Sequence, residues 1–260
     1  MAFDGFVISN LVYELNNTIL NAKISKIAQP ETDELLFTLK GSNGQYRLAM
    51  SASASLPFLY LTGTNKPSPL TAPNFCMLLR KHIANGRIVE ISQPHMERII
   101  NFKIEHLDEM GDLCQKTLIV ELMGKRSNII FCDANGRIID SIKHISIDVN
   151  RARQILPGKL YEYPPAQKKI PFTKITREEI LQLLTDPLQP GRCLLSGIQG
   201  LSPALAETLA SDLPSASDAA KEFASSVYPR LQKLIQEIRE HTFTPVVYLD
   251  GAGKPVDFHI

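Results

Sequence analysis

The chain has 260 residues, 44% hydrophobic and 21% charged, with a formal net charge of +1. That composition belongs to a globular protein and excludes disorder, collagen and coiled coil as the dominant state. Lys+Arg 28 against Asp+Glu 27 gives no bulk sign of a nucleic-acid binder, so such a role has to come from local charge.

The N-terminal residues lack the basic n-region of a signal peptide. No apolar run approaches the ~20 residues needed to span a bilayer. Cys76, Cys114, Cys132 and Cys193 form no C-x-x-C pair and read as buried, reduced thiols. A cytoplasmic protein without membrane contact is the expectation.

Residues 5–21 place Val7, Ile8, Leu11, Val12, Leu15 and Ile19 at helical spacing. Strand-like segments follow at 23–28, 34–39, 45–50 and 58–61, with Asn43-Gly44 as a hairpin signal. Residues 63–73 read as a loop. Residues 74–83 predict a helix with Phe75, Leu78 and Leu79 on one side and Gly86 as its stop. Five further strands are predicted at 87–92, 98–104, 116–122, 128–132 and 137–142, with Asn135-Gly136 between the last two. Many short strands and few helices imply an antiparallel sandwich or barrel.

Residues 144–170 have little periodicity and contain Pro157-Gly158 and Pro164-Pro165, the texture of a linker or wrapping loop. Thr176-Arg-Glu-Glu179 fits a capping box and opens a helical stretch through Ala210. A second helical stretch spans 216–241. Residues 245–249 and 256–260 read as a hairpin across Asp250-Gly251. The division expected is a β-sandwich domain over 1–170, a helical domain over 171–242, and a returning hairpin over 243–260, with the chain stopping before a coiled coil.

Residues 79–169 carry fifteen bases against eleven acids. Lys125, Arg126, Arg151, Arg153, Lys168 and Lys169 are candidates for a phosphate-facing stripe, against the alternative of an ordinary solvated face. Nucleotide-loop, zinc-protease and nucleophile-elbow motifs are absent, and the six histidines are scattered. No catalytic residue, metal site or cofactor is therefore assigned. Gly197-Ile-Gln-Gly200, followed by Ser202-Pro203, fits a helix-hairpin-helix turn in which Gly197 and Gly200 let the backbone approach a phosphate. It fits a plain helix–helix connector equally well.

Six segments in order resemble one family. They are M-A-F-D-G at 1–5, N-F-C-M-L-L-R-K-H-I at 74–83 with Gly86, E-R-I at 97–99, E-L-M-G-K-R-S-N-I-I at 121–130, I-I-D-S-I-K-H at 138–144, and R-Q-I-L-P-G-K-L-Y at 153–161 with P-P-A-Q at 164–167. Together they are similar to the NFACT-N domain of the RqcH-like factors, also called fibronectin-binding protein A. The resemblance covers about residues 1–170, and the helix-hairpin-helix that follows matches the family's next domain.

The resemblance implies an α+β fold: an antiparallel β-sandwich with flanking helices, related to the N-terminal domain of formamidopyrimidine-DNA glycosylases. It implies binding to large ribosomal subunits obstructed by peptidyl-tRNA, recruitment of alanyl-tRNA, and template-free addition of alanine to the stalled chain. The peptidyl transfer belongs to the ribosome, so the chain is not itself an enzyme. The family's tRNA-recruiting Asp-Arg pair falls on Glu97-Arg98, with an acid one methylene longer, and its N-terminal functional acid falls on Asp4.

Base-excision chemistry is argued against by Ala2 and Phe3 where a glycosylase has its catalytic proline and glutamate, and by the missing four-cysteine zinc finger. The alternatives are a surface adhesin for fibronectin or fibrinogen, and a non-catalytic DNA-binding scaffold.

Overall fold

A computed structural model describes residues 3–165, 168–184, 189–211 and 219–259, with the side chains of 219–221 left aside. The chain divides into two compact units that are not contiguous in sequence. The helical unit takes Met1–Asn10, His95–Arg98 and Ala166–Ile260, and the sheet unit takes Leu11–Pro94 and Ile99–Pro165.

The first helix, α1 (Gly5–Thr18), begins in the helical unit and ends in the sheet unit. The strands of the sheet unit are β1 (Lys23–Glu31), β2 (Glu34–Gly41), β3 (Gly44–Ser51), β4 (Phe58–Leu61), β5 (Arg87–Ser92), β6 (Ile99–Leu107), β7 (Leu113–Glu121), β8 (Asn128–Cys132) and β9 (Ile138–Ser141). They form one nine-stranded antiparallel sheet in the order β4-β3-β2-β1-β5-β6-β7-β8-β9. The sheet has two halves. Between β1 and β5 the registered pairing is a single pair, Lys23 with Arg87. The expected sandwich is thus a large antiparallel sheet narrowed at its middle.

Burial follows the residue pattern. Strand β6 alternates buried and half-buried positions along most of its length, as a strand with one covered face does. Strand β8, Asn-Ile-Ile-Phe-Cys, is buried at every position, so both its faces are covered. Helix α2 (Asn74–Ile83) turns Phe75, Cys76, Leu79 and Ile83 inward. It stops where Asn85 takes a φ of 66° and Gly86 follows.

The β2–β3 hairpin turns one residue earlier than Asn43-Gly44 suggests. Gly41 pairs with Gly44, so Ser42 and Asn43 form the loop. Gly44 sits on the strand at φ 137°, a conformation that glycine adopts without strain.

In the helical unit, β10 (Ile170–Pro171) and a short turn at Phe172–Lys174 lead to α3 (Arg177–Leu183). There the capping box is formed: the Thr176 hydroxyl accepts from the Glu179 N–H, and the Thr176 N–H donates to the Glu179 carboxylate. Then come α4 (Pro190–Gly197), β11 (Ile198–Gln199), α5 (Pro203–Ala210), α6 (Ala219–Glu240), and a hairpin of β12 (Val246–Leu249) and β13 (Pro255–His259). The leucine-rich stretch from 181 to 209 is broken by Pro190 and by the β11 pairing. Phe6, Phe172, Ile180, Leu194, Ile198 and Leu231 share one apolar core.

Candidate functional site

Three segments distant in sequence meet in the helical unit: the start of α1, the turn at 95–98, and the connection from α4 to α5. With Lys169 they line a cavity of about 290 Å³.

Asp4 precedes an apolar-faced helix, the position where aspartate caps. Its Oδ1 accepts from the Phe6 and Val7 N–H groups, both at 3.0 Å. The carboxylate thereby satisfies two orphan donors and faces the positive end of the helix dipole. Its Oδ2 lies 3.1 Å from Nε2 of His259 on β13. Asp4 is buried, so the acid picked out by resemblance also fixes the N-terminal segment against the cavity.

The next residue fixes the backbone. The Gly5 N–H donates to the Gly200 carbonyl at 3.0 Å, and any side chain at Gly5 would strike the Met96 carbonyl oxygen. Gly200 has a φ of 90° and lines the cavity. His95 and Met96 both adopt positive φ, 48° and 56°. Two consecutive non-glycine residues there cost on the order of 1–3 kcal/mol each, a strain usually found where the surroundings hold a functional turn in place.

This turn corrects the expected start of the strand at Arg98, next to Glu97. Neither lies in a strand, since β6 begins at Ile99. Both residues line the same cavity. Glu97 is half-buried and accepts from Gln199 Nε2 at 2.5 Å. Arg98 is exposed. Lys169 is half-buried, and burial, followed by the nearby Arg98 charge, holds its ammonium below the usual lysine range against a partial offset from Glu97.

The cavity thus presents two cations and, besides the capping Asp4, a carboxylate anchored by an amide. A forked guanidinium and an ammonium suit phosphate oxygens or guanine edges. The carboxylate accepts from amino or hydroxyl groups.

The other residues singled out in the sequence are distributed differently. Lys125, Arg126 and Arg151 are exposed in the sheet unit. Lys168 is exposed in the helical unit. Arg153 does not belong to a phosphate-facing stripe. It is buried, donates to both Glu121 oxygens at 2.8 and 2.6 Å, and donates to the Glu162 carbonyl at 2.8 Å. Gly197 and Gly200 do not form one cradle, because Gly197 is buried under Leu183 at the end of α4. Among the described residues, no cluster of His, Cys, Asp or Glu is placed to hold a metal ion.

Gln199 and Met96 were not anticipated. Gln199 sits inside the G-I-Q-G stretch, where the glycines shape the backbone and the glutamine side chain reaches Glu97. Met96 carries no signal in sequence, because its contribution is a backbone conformation.

A family model described as NFACT N-terminal and middle domains matches residues 4–260. The Rqc2 homolog RqcH of Bacillus subtilis (strain 168) is 36% identical over 249 residues, 94% of this chain and 42% of that protein. The Rqc2 homolog RqcH of Streptococcus pneumoniae serotype 2 (strain D39) is 33% identical over 98% of this chain and 46% of that protein. The chain therefore spans less than half the length of these curated relatives.

Among solved structures, the fibrinogen binding protein from Staphylococcus aureus aligns with a TM-score of 0.79 and 29% identity, covering 100% of this chain and 90% of that one. The N-terminal part of the fibronectin/fibrinogen-binding protein from Streptococcus suis aligns with a TM-score of 0.74 and 33% identity, covering 87% and 85%. Both agree with a mixed fold built on a large antiparallel sheet with helices.

Proposed function

The chain belongs to the family of NFACT N-terminal and middle domains, and on that footing we propose that it is the tRNA- and large-subunit-binding N-terminal part of a ribosome quality-control factor. In this reading the whole protein recruits alanyl-tRNA to a large subunit obstructed by peptidyl-tRNA and supports template-free alanine tailing. The chain makes and breaks no bonds itself, requires no cofactor, and acts in the cytoplasm. Among the described residues no helix is long and apolar enough to cross a membrane.

The observation that carries the proposal is the convergence of Asp4, Glu97, Arg98 and Lys169 on one cavity from segments far apart in sequence. Asp4 holds the N-terminal wall, Arg98 and Lys169 supply positive charge, and Glu97 supplies the acceptor. RNA sequence is read chiefly in unstacked loops, whose base edges and phosphates such a cavity can engage. Exposed Lys125, Arg126, Arg151 and Lys168 add sequence-independent phosphate attraction.

The test is alanine tailing by the whole protein carrying Glu97→Ala and Arg98→Ala. Tailing is expected to disappear with the melting temperature unchanged, and tailing at the normal level would remove the site assignment.

A second reading, an adhesin, is favoured by the solved neighbours described as fibrinogen- or fibronectin-binding. Cell fractionation separates the two. A pool confined to the surface, with none on ribosomes, would select the adhesin.

A further inference from the structure

We infer that Gln199 is a positioning residue of the proposed RNA site, helping to set the Glu97 carboxylate in the geometry that selects hydrogen-bond donors on the bound RNA. The inference rests on the reading of the cavity given above.

Glu97 lies in a turn rather than in a strand. The two residues before it are left-handed, and its own side chain is only half-buried. A glutamate in such a place has three side-chain torsions and loses considerable rotamer freedom when ordered.

Gln199 is held far more firmly. Its strand β11 pairs in parallel with β10, Ile170 opposite Ile198 and Pro171 opposite Gln199. The preceding Ile198 is fully buried. The following Gly200 is tied by its carbonyl to the Gly5 N–H. From that backbone the Gln199 amide donates to Glu97 Oε1 at 2.5 Å. A hydrogen bond to an ionised acceptor is short and about twice as strong as a neutral one. The firm element thus fixes one oxygen of the Glu97 carboxylate, across 102 positions of sequence.

The consequence for recognition concerns charge. A fixed carboxylate in the cavity that Arg98 and Lys169 also line accepts from base amino groups or ribose hydroxyls and repels a phosphate that enters its side of the cavity. A carboxylate turned toward the neighbouring cations would offset their charge. Gln199 would therefore act through Glu97 without contributing charge of its own.

The test measures binding of the 260-residue chain to fluorescently labelled total tRNA. Gln199→Met, which keeps length and removes the donor, should weaken binding about tenfold. Gln199→Glu, which sets two carboxylates against each other, should weaken it at least as much. In a Glu97→Ala background, Gln199→Met should change binding by less than about twofold, because the partner through which it acts is gone. If Gln199→Met proves unstable, Gln199→Asn, which shortens the reach of the amide, takes its place in the same cycle.

Undiminished binding by the Gln199 variants, with binding lost in Arg98→Ala, overturns the inference and leaves the site reading standing. An equal loss in the Glu97→Ala background also overturns it, since Gln199 would then act independently. Normal binding by Arg98→Ala removes the site reading, and the inference with it.

Discussion

Arg98 and Arg153 come from the same basic middle segment, and burial separates their roles. Arg98 is exposed beside a cavity. Arg153 lies inside the sheet unit, forked onto a fully buried Glu121 and 5.7 Å from the centre of the Tyr161 ring. The Tyr161 hydroxyl donates to the same carboxylate at 2.8 Å. Burial, reinforced by the Glu121 charge, drives the Tyr161 hydroxyl well above its ordinary range, so it remains a donor at any working pH.

Removing one partner of such a group strands the other in a medium that solvates it poorly. Glu121→Ala is expected to cost about 3–5 kcal/mol in denaturant unfolding, and Glu121→Leu with Arg153→Met to recover most of that loss. A cost below about 1 kcal/mol for the single variant would show that the pair is solvated. Nothing local in the sequence announces this pairing, because its members lie 32 residues apart. Asp4 is the opposite case. Its place before an amphipathic run is a capping signal, and the structure shows the cap alongside the cavity.

The elements were legible to differing degrees, for physical reasons. Strands with period-two burial and turns with Asn-Gly stood out. Around Asn135-Gly136, the Asp133 carboxylate accepts from the Asn135 and Arg137 N–H groups, both at 2.9 Å. The helical half was harder, because leucine spacing continues across breaks that the chain makes at Pro190 and β11. A run of correct periodicity does not reveal where tertiary pairing interrupts it.

The strand pairing also supplies a pH test. Glu90 on β5 stands opposite Lys103 on β6, with the ammonium donating at 2.7 Å. That bond holds the Glu90 carboxyl below its ordinary 4.5. A carboxyl lowered in the folded state adds stability above its unfolded pKa and loses it as the pH falls through the folded value. Both side chains are 45% exposed, so solvent screening keeps the contribution below about 1 kcal/mol. Lys103→Met should therefore raise the Glu90 titration midpoint in carboxyl NMR and narrow the stability difference from wild type as the pH drops below 4.5. An unmoved midpoint would contradict the pairing.

At the scale of the whole molecule, the near-zero net charge conceals the arrangement that matters. The division into units joins residues 1–10 and 95–98 to a helical region that begins at 166. No pattern in the sequence predicts that grouping, since it depends on a backbone turn at His95 and Met96 and on the close approach of Gly5 to Gly200. The motifs point to the residues, and the fold brings them to one place: a capped N-terminus, a strained turn and a glycine connection form one cavity wall. The stripe of six bases loses one member for a simpler reason, since Arg153 is buried and paired with Glu121.

The most direct measurement is the RNA that copurifies with the whole protein from its own cells, with and without Arg98→Ala. The account predicts tRNA enriched with the wild type and lost from the variant while the protein stays folded. Recovery of the same tRNA, in the same amount, from both would contradict it.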